Sequence, residues 1–158
     1  MKQNEIILTQ RLKLVQLSPN HAVDIFNEFT QEVTIYMFPK TPHKLEETQE
    51  YIKESLEKMS AGEEIQFVIL LKDTGEFLGG GGIHDIKTTK PELGIWVKKS
   101  AHGNKYGLEA VRGMKEWAEN NLEYQYLVYP VDKRNIASRK IAEALGGVVE
   151  AEYKKPNL

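Results

Sequence analysis

The chain has 158 residues, of which 41% are hydrophobic and 28% charged, with a net charge of -2 and no cysteine. That length suits one domain, 1–158, able to bury its own core, and the near-neutral balance supplies no global field for nucleic acid or an anionic membrane. The missing cysteine removes disulfides, thiolate metal sites and thiol nucleophiles, and no apolar run of signal-peptide or membrane-span length opens the chain, so a cytoplasmic protein is expected.

In chain order, Ile6, Leu8, Leu12, Leu14 and Leu17 alternate with polar residues and predict one strand over residues 5–17, with a bulge or bend near Thr9 to Arg11. Ser18 and Pro19 supply an N-cap and a first-turn proline, and Ala22, Ile25, Phe26 and Phe29 then share a helical face. Past Pro39 and Pro42, Leu45, Thr48, Ile52, Leu56 and Met59 recur at helical spacing up to Gly62, and the surrounding Glu and Lys residues read as the solvated face. Residues 65–71 and 76–83 form two antiparallel strands around the turn Asp73-Thr74-Gly75. The four glycines 79–82 lack the Lys and Ser/Thr of a phosphate loop, and no helical pattern follows, so they read as close packing on a bent strand.

Residues 93–97 make the next strand, and the helix over 105–121 carries Leu108, Val111, Met114, Trp117 and Ala118 as its apolar stripe, with Trp117 read as core. Between them lie small and polar residues. Such a strand, turn and helix start leaves backbone N–H groups free to hold an anion. Residues 124–131 are rich in β-formers, Asn135 is a plausible N-cap for a helix carrying Ala137, Ile141 and Leu145, Gly146 and Gly147 end that helix, and 148–153 reads as a last strand. The sum is an α+β fold, a mixed and mostly antiparallel twisted sheet flanked by helices.

At this point the residues resemble the GNAT superfamily of N-acetyltransferases, and within it the ribosomal-protein N-terminal (alanine) acetyltransferase branch. Thr9-Gln10-Arg11-Leu12-Lys13-Leu14 looks like the opening strand of that branch. Asp73-Thr74-Gly75-Glu76 with Leu78-Gly79 is similar to its central hairpin, and Glu92-Leu93-Gly94-Ile95-Trp96-Val97 to its fourth strand. His102-Gly103-Asn104-Lys105-Tyr106-Gly107 is similar to the family's pyrophosphate loop, with His102 where Arg or Gln is usual and Lys105 where glycine is. Asn135-Ile136-Ala137-Ser138-Arg139 followed by Leu145-Gly146-Gly147 is similar to its last helix.

The resemblance implies an acetyl-CoA-dependent transferase acting by direct attack in a ternary complex on a primary amine, of a protein N-terminus or a small molecule, with no metal. A noncatalytic acyl-CoA-binding or sensor domain is the alternative. Coenzyme contacts fall at Ile95, Trp96, Val97, His102, Gly103, Asn104, Lys105, Tyr106, Gly107, Asn135 and Ser138, with the pantetheine arm pairing like a strand at Ile95 and Val97. Lys105 either adds a cation near the phosphates or points to solvent.

Ser138, or an ordered water, is the expected proton donor to the departing thiolate, its bland reading being a helix-start serine bonded to local backbone. Glu92 reads as an acceptor of the amine proton, a binder of a cationic substrate, or an exposed strand carboxylate. Tyr36, Phe38 and His84 are candidate acceptor contacts. After Gly147 eleven residues remain, enough for one strand where the family closes with two. The last strand is therefore absent, supplied by a partner chain in a homodimer, or outside this sequence.

Overall fold

In the computed structural model, which describes residues 4–37 and 39–153, five strands form one sheet in the order of their sequence, each antiparallel to the next. They are β1 (Ile6–Leu8), β2 (Leu12–Gln16), β3 (Ile65–Leu71), β4 (Phe77–His84) and β5 (Glu92–Val97). Around them lie α1 (Ala22–Glu28), α2 (Gln31–Thr34), α3 (Leu45–Ser60), α4 (Tyr106–Asn121) and α5 (Ile136–Ala144).

Alternation along the strands sends two sets of side chains to two faces. Ile65, Phe67 and Ile69 of β3, with Ile83 of β4 and Leu93 of β5, pack against Ala110, Val111, Met114 and Trp117 of α4, so Trp117 is core as its spacing implies. The opposite face sets Val68 and Phe77 against Ala22 of α1 and Ile52 of α3.

The glycine run is the product of this packing. A Cβ on Gly79 would lie 2.1 Å from the Trp96 carbonyl oxygen, one on Gly80 2.7 Å from Trp96 Nε1, and one on Gly81 3.0 Å from Met114 Cε. No side chain fits there.

Four expectations are corrected. The strand over 5–17 is a hairpin, in which Ile6 faces Val15 and Leu8 faces Lys13. The Thr9 amide donates to the Leu12 carbonyl at 3.0 Å and the Leu12 amide to Thr9 Oγ1 at 3.0 Å, which closes a reversal instead of a bulge. The first helix begins as a 3-10 turn at Pro19–His21, where the His21 Nδ1 takes the Ser18 amide at 3.0 Å, and it is broken again between α1 and α2.

Residues 124–131 make one parallel bridge, Glu92 with Val128, and no strand. Residues 148–153 are irregular, with Val148 and Val149 89% and 78% exposed. Their composition favours β structure, but a strand exists only against a backbone partner, and among the described residues none meets this segment. A hydrogen bond from the Tyr126 hydroxyl to Glu150 ties it to the segment 124–131 on the other side of α5 in the sequence. No helix among the described residues is long and apolar enough to cross a membrane.

Candidate active site

The site begins where β5 loses its outer neighbour. The Leu93 amide donates to the Val128 carbonyl at 2.8 Å and the Val128 amide to the Pro91 carbonyl at 2.8 Å, after which the two segments diverge. Backbone groups two residues apart on a strand point the same way, so Ile95 and Val97 also face the open side, away from β4. Among the described residues no backbone strand meets them there. The wedge thus offers the Ile95 amide and carbonyl and the Val97 amide to an extended ligand. The Trp96 side chain points to the other face, where it packs edge-on to Phe29 at 4.9 Å and near Phe77 at 5.8 Å, so its ring is no wall of the wedge.

Beyond Val97 the chain makes a 3-10 turn at Lys99–Ala101 and then enters α4. His102 Nε2 lies 2.7 Å from the Val97 carbonyl oxygen, and Asn104 Nδ2 donates to the Ala101 carbonyl at 3.1 Å. These two side chains shape the loop, and the Tyr106, Gly107 and Leu108 amides at the uncapped helix start remain for an anion. Gly103 has φ 86° with open space around it, whereas a Cβ on Gly107 would meet Ile141 Cδ1 at 3.1 Å. Gly107 therefore sets how closely α4 and α5 approach.

Lys105 stands just before α4 at φ 61°, ψ 23°, its side chain making no capping hydrogen bond, in the left-handed region that costs a side-chain-bearing residue about 1–2 kcal/mol. That is why glycine is usual at this point of the loop. Lys105→Gly should gain about 0.5–1 kcal/mol after the added chain entropy, a rise of about 2 °C in thermal midpoint by calorimetry.

On the far side of the wedge, the Asn135 side chain accepts from the Ser138 amide at 3.2 Å, capping α5. The Ser138 hydroxyl lies 2.6 Å from the Tyr129 hydroxyl. Tyr129 follows Val128, the residue of the bridge, so the pair sits beside the point of divergence. Burial pushes the Tyr129 phenol up, partly offset by its hydrogen bond with Ser138, so it remains a neutral donor at neutral pH.

Residues 11–148 match the acetyltransferase (GNAT) domain family. The chain belongs to that family. Sequence comparison with curated proteins finds no match. Among solved structures of similar fold is a Salmonella typhimurium acetyltransferase that modifies the N-terminal serine of ribosomal protein L7/L12, 17% identical with TM-score 0.81 over 97% of this chain and 93% of that one. FdhC, a nucleotide-linked sugar GNAT, is 17% identical with TM-score 0.81 over 96% and 86%. RimL, a ribosomal L7/L12 alpha-N-protein acetyltransferase in complex with coenzyme A, is 16% identical with TM-score 0.78 over 89% and 82%.

As in other GNAT proteins, the coenzyme of the family is acetyl-CoA, and the wedge and loop suit its two parts. Amides along a strand edge fit the pantetheine, and a positive helix end fits the diphosphate. Among the described residues no cluster of three or more His, Asp or Glu is placed to hold a metal.

The face of the sheet opposite α4 holds the remaining candidates. On this face Gly94 is half-buried, while Gly82 is buried, a Cβ on it meeting the Ile65 carbonyl oxygen at 3.0 Å and Gln66 Cγ at 3.2 Å, and Glu92 and His84 stand opposite each other in the β4–β5 ladder. Tyr36, 37% exposed, lies under the Arg134 guanidinium at 5.0 Å, which links the segment after α2 to the loop before α5. Asp132 fixes that guanidinium through two hydrogen bonds, and Arg134 in turn holds its carboxyl down to about 2. Phe38 lies outside the described residues.

Two features of this GNAT site escape the sequence reading. Tyr129 falls in a segment whose β-like composition carries no sign of a role. Glu109 looks like an ordinary helix-surface carboxylate, yet it accepts from Thr9 Oγ1 at 2.5 Å, from the Arg11 amide at 2.8 Å and from Arg11 Nε at 2.7 Å. Arg11 also donates from Nη2 to the Asn104 carbonyl at 3.0 Å and covers the Tyr106 ring at 4.6 Å. The β1–β2 turn thereby buttresses the loop, and Tyr106 belongs to that buttress. The available signal was the bend at Thr9 to Arg11.

Proposed function

We propose that this chain acetylates a primary amine, in a ternary complex with acetyl-CoA, and that the amine is a protein N-terminus. The observation that carries the reading is the convergence on one wedge of an open strand edge, an uncapped helix start and the Tyr129–Ser138 hydroxyl pair. The diphosphate binds to the Tyr106 to Leu108 amides and the pantetheine pairs with Ile95 and Val97. The thioester then lies near the point of divergence. The amine nitrogen attacks the thioester carbon, the carbon–sulfur bond breaks, and Ser138, backed by Tyr129, protonates the departing sulfur.

The preference for a protein N-terminus draws support from the ribosomal-protein acetyltransferases of similar fold. A small-molecule amine is the second reading, favoured by the sugar-modifying relative. Turnover of peptides with free N-termini against a panel of amino sugars separates the two.

Titration calorimetry with acetyl-CoA tests the coenzyme assignment. Binding is expected, and none at millimolar coenzyme overturns it. Gly103→Val, which forces a β-branched residue into φ 86°, should weaken coenzyme binding about tenfold or more, at a strain cost to the fold of about 1–3 kcal/mol. Gly107→Val should weaken it and also lower the thermal midpoint, because its side chain meets Ile141. Wild-type affinity in both variants would remove the diphosphate from this loop.

A further inference from the structure

We propose that His84, oriented by the buried carboxylate of Glu64, takes the proton from the incoming ammonium. The inference rests on the acetyl-transfer reading above and gives its deprotonation step a named residue.

Glu64 is 6% exposed, just before β3, and its Oε1 lies 3.6 Å from His84 Nδ1. Its other oxygen accepts from Gln66 Nε2, which also donates to Ser55 Oγ at 3.0 Å, while Gln66 Oε1 accepts from the Tyr51 hydroxyl at 2.7 Å. Burying a carboxylate is costly unless it is hydrogen-bonded and faces a cation or a group that becomes one. Burial pushes Glu64 up, but the nearby His84 imidazole, the hydrogen bond from Gln66 and the charge of Lys58 outweigh it and lower the carboxyl from its ordinary value.

The imidazole is open on its other side, its side chain 38% exposed. His84 Nε2 would lie 3.5 Å from a Cβ on Gly82 and 3.8 Å from one on Gly94, and neither position carries one. The ring therefore borders half-buried Gly94, where β4 and β5 run side by side. The groups around the His84–Glu64 pair are Glu92, opposite His84 on β5, Asp85 next in the chain, and Tyr51 and Lys58 of α3, which act on Glu64. Carboxylates on two sides attract an ammonium. Imidazole exchanges protons in the neutral range, which a carboxylate does not.

In the neutral tautomer with Nδ1–H toward Glu64, Nε2 presents a lone pair. The ammonium gives that nitrogen its proton, and the freed amine attacks the thioester carbon. As the tetrahedral intermediate collapses, the electron pair of the carbon–sulfur bond passes to sulfur. The second N–H proton passes through solvent to restore the Ser138 hydroxyl, which has given its proton to sulfur, and His84 returns its proton to solvent. The net products are amide, thiol and one proton.

The test uses the full chain, acetyl-CoA, synthetic peptides beginning with alanine or serine, and aniline as an acceptor already neutral in water. His84→Gln should lower kcat/KM for the peptides about a hundredfold and abolish the fall in activity on the acid side. Its effect on aniline should be much smaller, and acetyl-CoA affinity by calorimetry should be unchanged. Glu64→Gln should lower kcat for the peptides about tenfold with KM and acetyl-CoA affinity unchanged, and free imidazole should restore part of the activity of His84→Ala. If Glu64→Gln does not fold, the His84 variants decide alone. A wild-type rate and pH profile in His84→Gln overturns the proposal, and equal losses for peptide and aniline overturn it too. Absence of any transfer by the wild type overturns the acetyltransferase reading itself.

Discussion

Replacing Ser138 by alanine should lower turnover about a hundredfold and leave acetyl-CoA affinity unchanged. Two neighbours hold the serine, one at its amide and one at its hydroxyl. Asn135 fixes the first turn of α5 by accepting the Ser138 amide at 3.2 Å, and Tyr129 lies 2.6 Å from Ser138 Oγ. The serine can therefore donate outward while the phenol donates to it. Losing this donor leaves an unprotonated thiolate, a moderately good leaving group, so a residual rate survives from positioning alone.

Tyr129→Phe should reduce turnover by a smaller factor, and the double variant should be no slower than Ser138→Ala, because the two hydroxyls form one relay. Thiol release at saturating acetyl-CoA, with coenzyme affinity measured separately, checks all three. Full turnover in Ser138→Ala would assign the proton to water. Additive losses would show that Tyr129 acts elsewhere.

The second large effect is expected at Glu109. Its carboxylate accepts three hydrogen bonds, from the Thr9 hydroxyl and from the amide and Nε of Arg11, and an amide in its place would turn an N–H₂ toward donors. Glu109→Gln should cost about 2 kcal/mol, chiefly from the hydrogen bonds, since the Arg11 side chain is 41% exposed and its ionic part is screened. Arg11 would then hold the Asn104 carbonyl less firmly, so coenzyme affinity should fall by about tenfold in the same variant.

Acid provides an independent check. Burial raises the Glu109 carboxyl, but the hydrogen bonds from Thr9 and Arg11 outweigh it, and the group titrates below its ordinary value of 4.5. A carboxyl lowered by folding stabilises the fold above its unfolded value, and that contribution is lost as the pH falls through the folded one. The wild type should therefore lose stability on acidification below about pH 4.5. Glu109→Gln should show a shallower loss over the same range, by thermal unfolding at a series of pH values. An unchanged acid profile would show that the carboxylate is not what holds the β1–β2 turn to α4.

The local pattern was sufficient for β3, β4, β5, α3 and α4. Each is long enough for its apolar period to repeat, and the stripe expected over 105–121 is the α4 found at Tyr106–Asn121. The strand, loop and helix start of the wedge were legible for the same reason, since their backbone groups are disposed by local geometry. Local pattern misled where a partner decides the outcome. Residues 124–131 and 148–153 have strand composition, but one makes a single bridge and the other none, because pairing is a property of two segments. Thr9 turned an expected bend into a hairpin through its own hydroxyl.

The side-chain partnerships were beyond the sequence altogether. Glu109 reaches Arg11 across 98 residues, and the hydroxyls of Tyr129 and Ser138 meet across a loop and a helix start. Glu64 lies beside His84 because β3 and β4 are neighbours in the sheet. In each case composition names the groups, and only the packing of the sheet against its helices brings them within reach of one another.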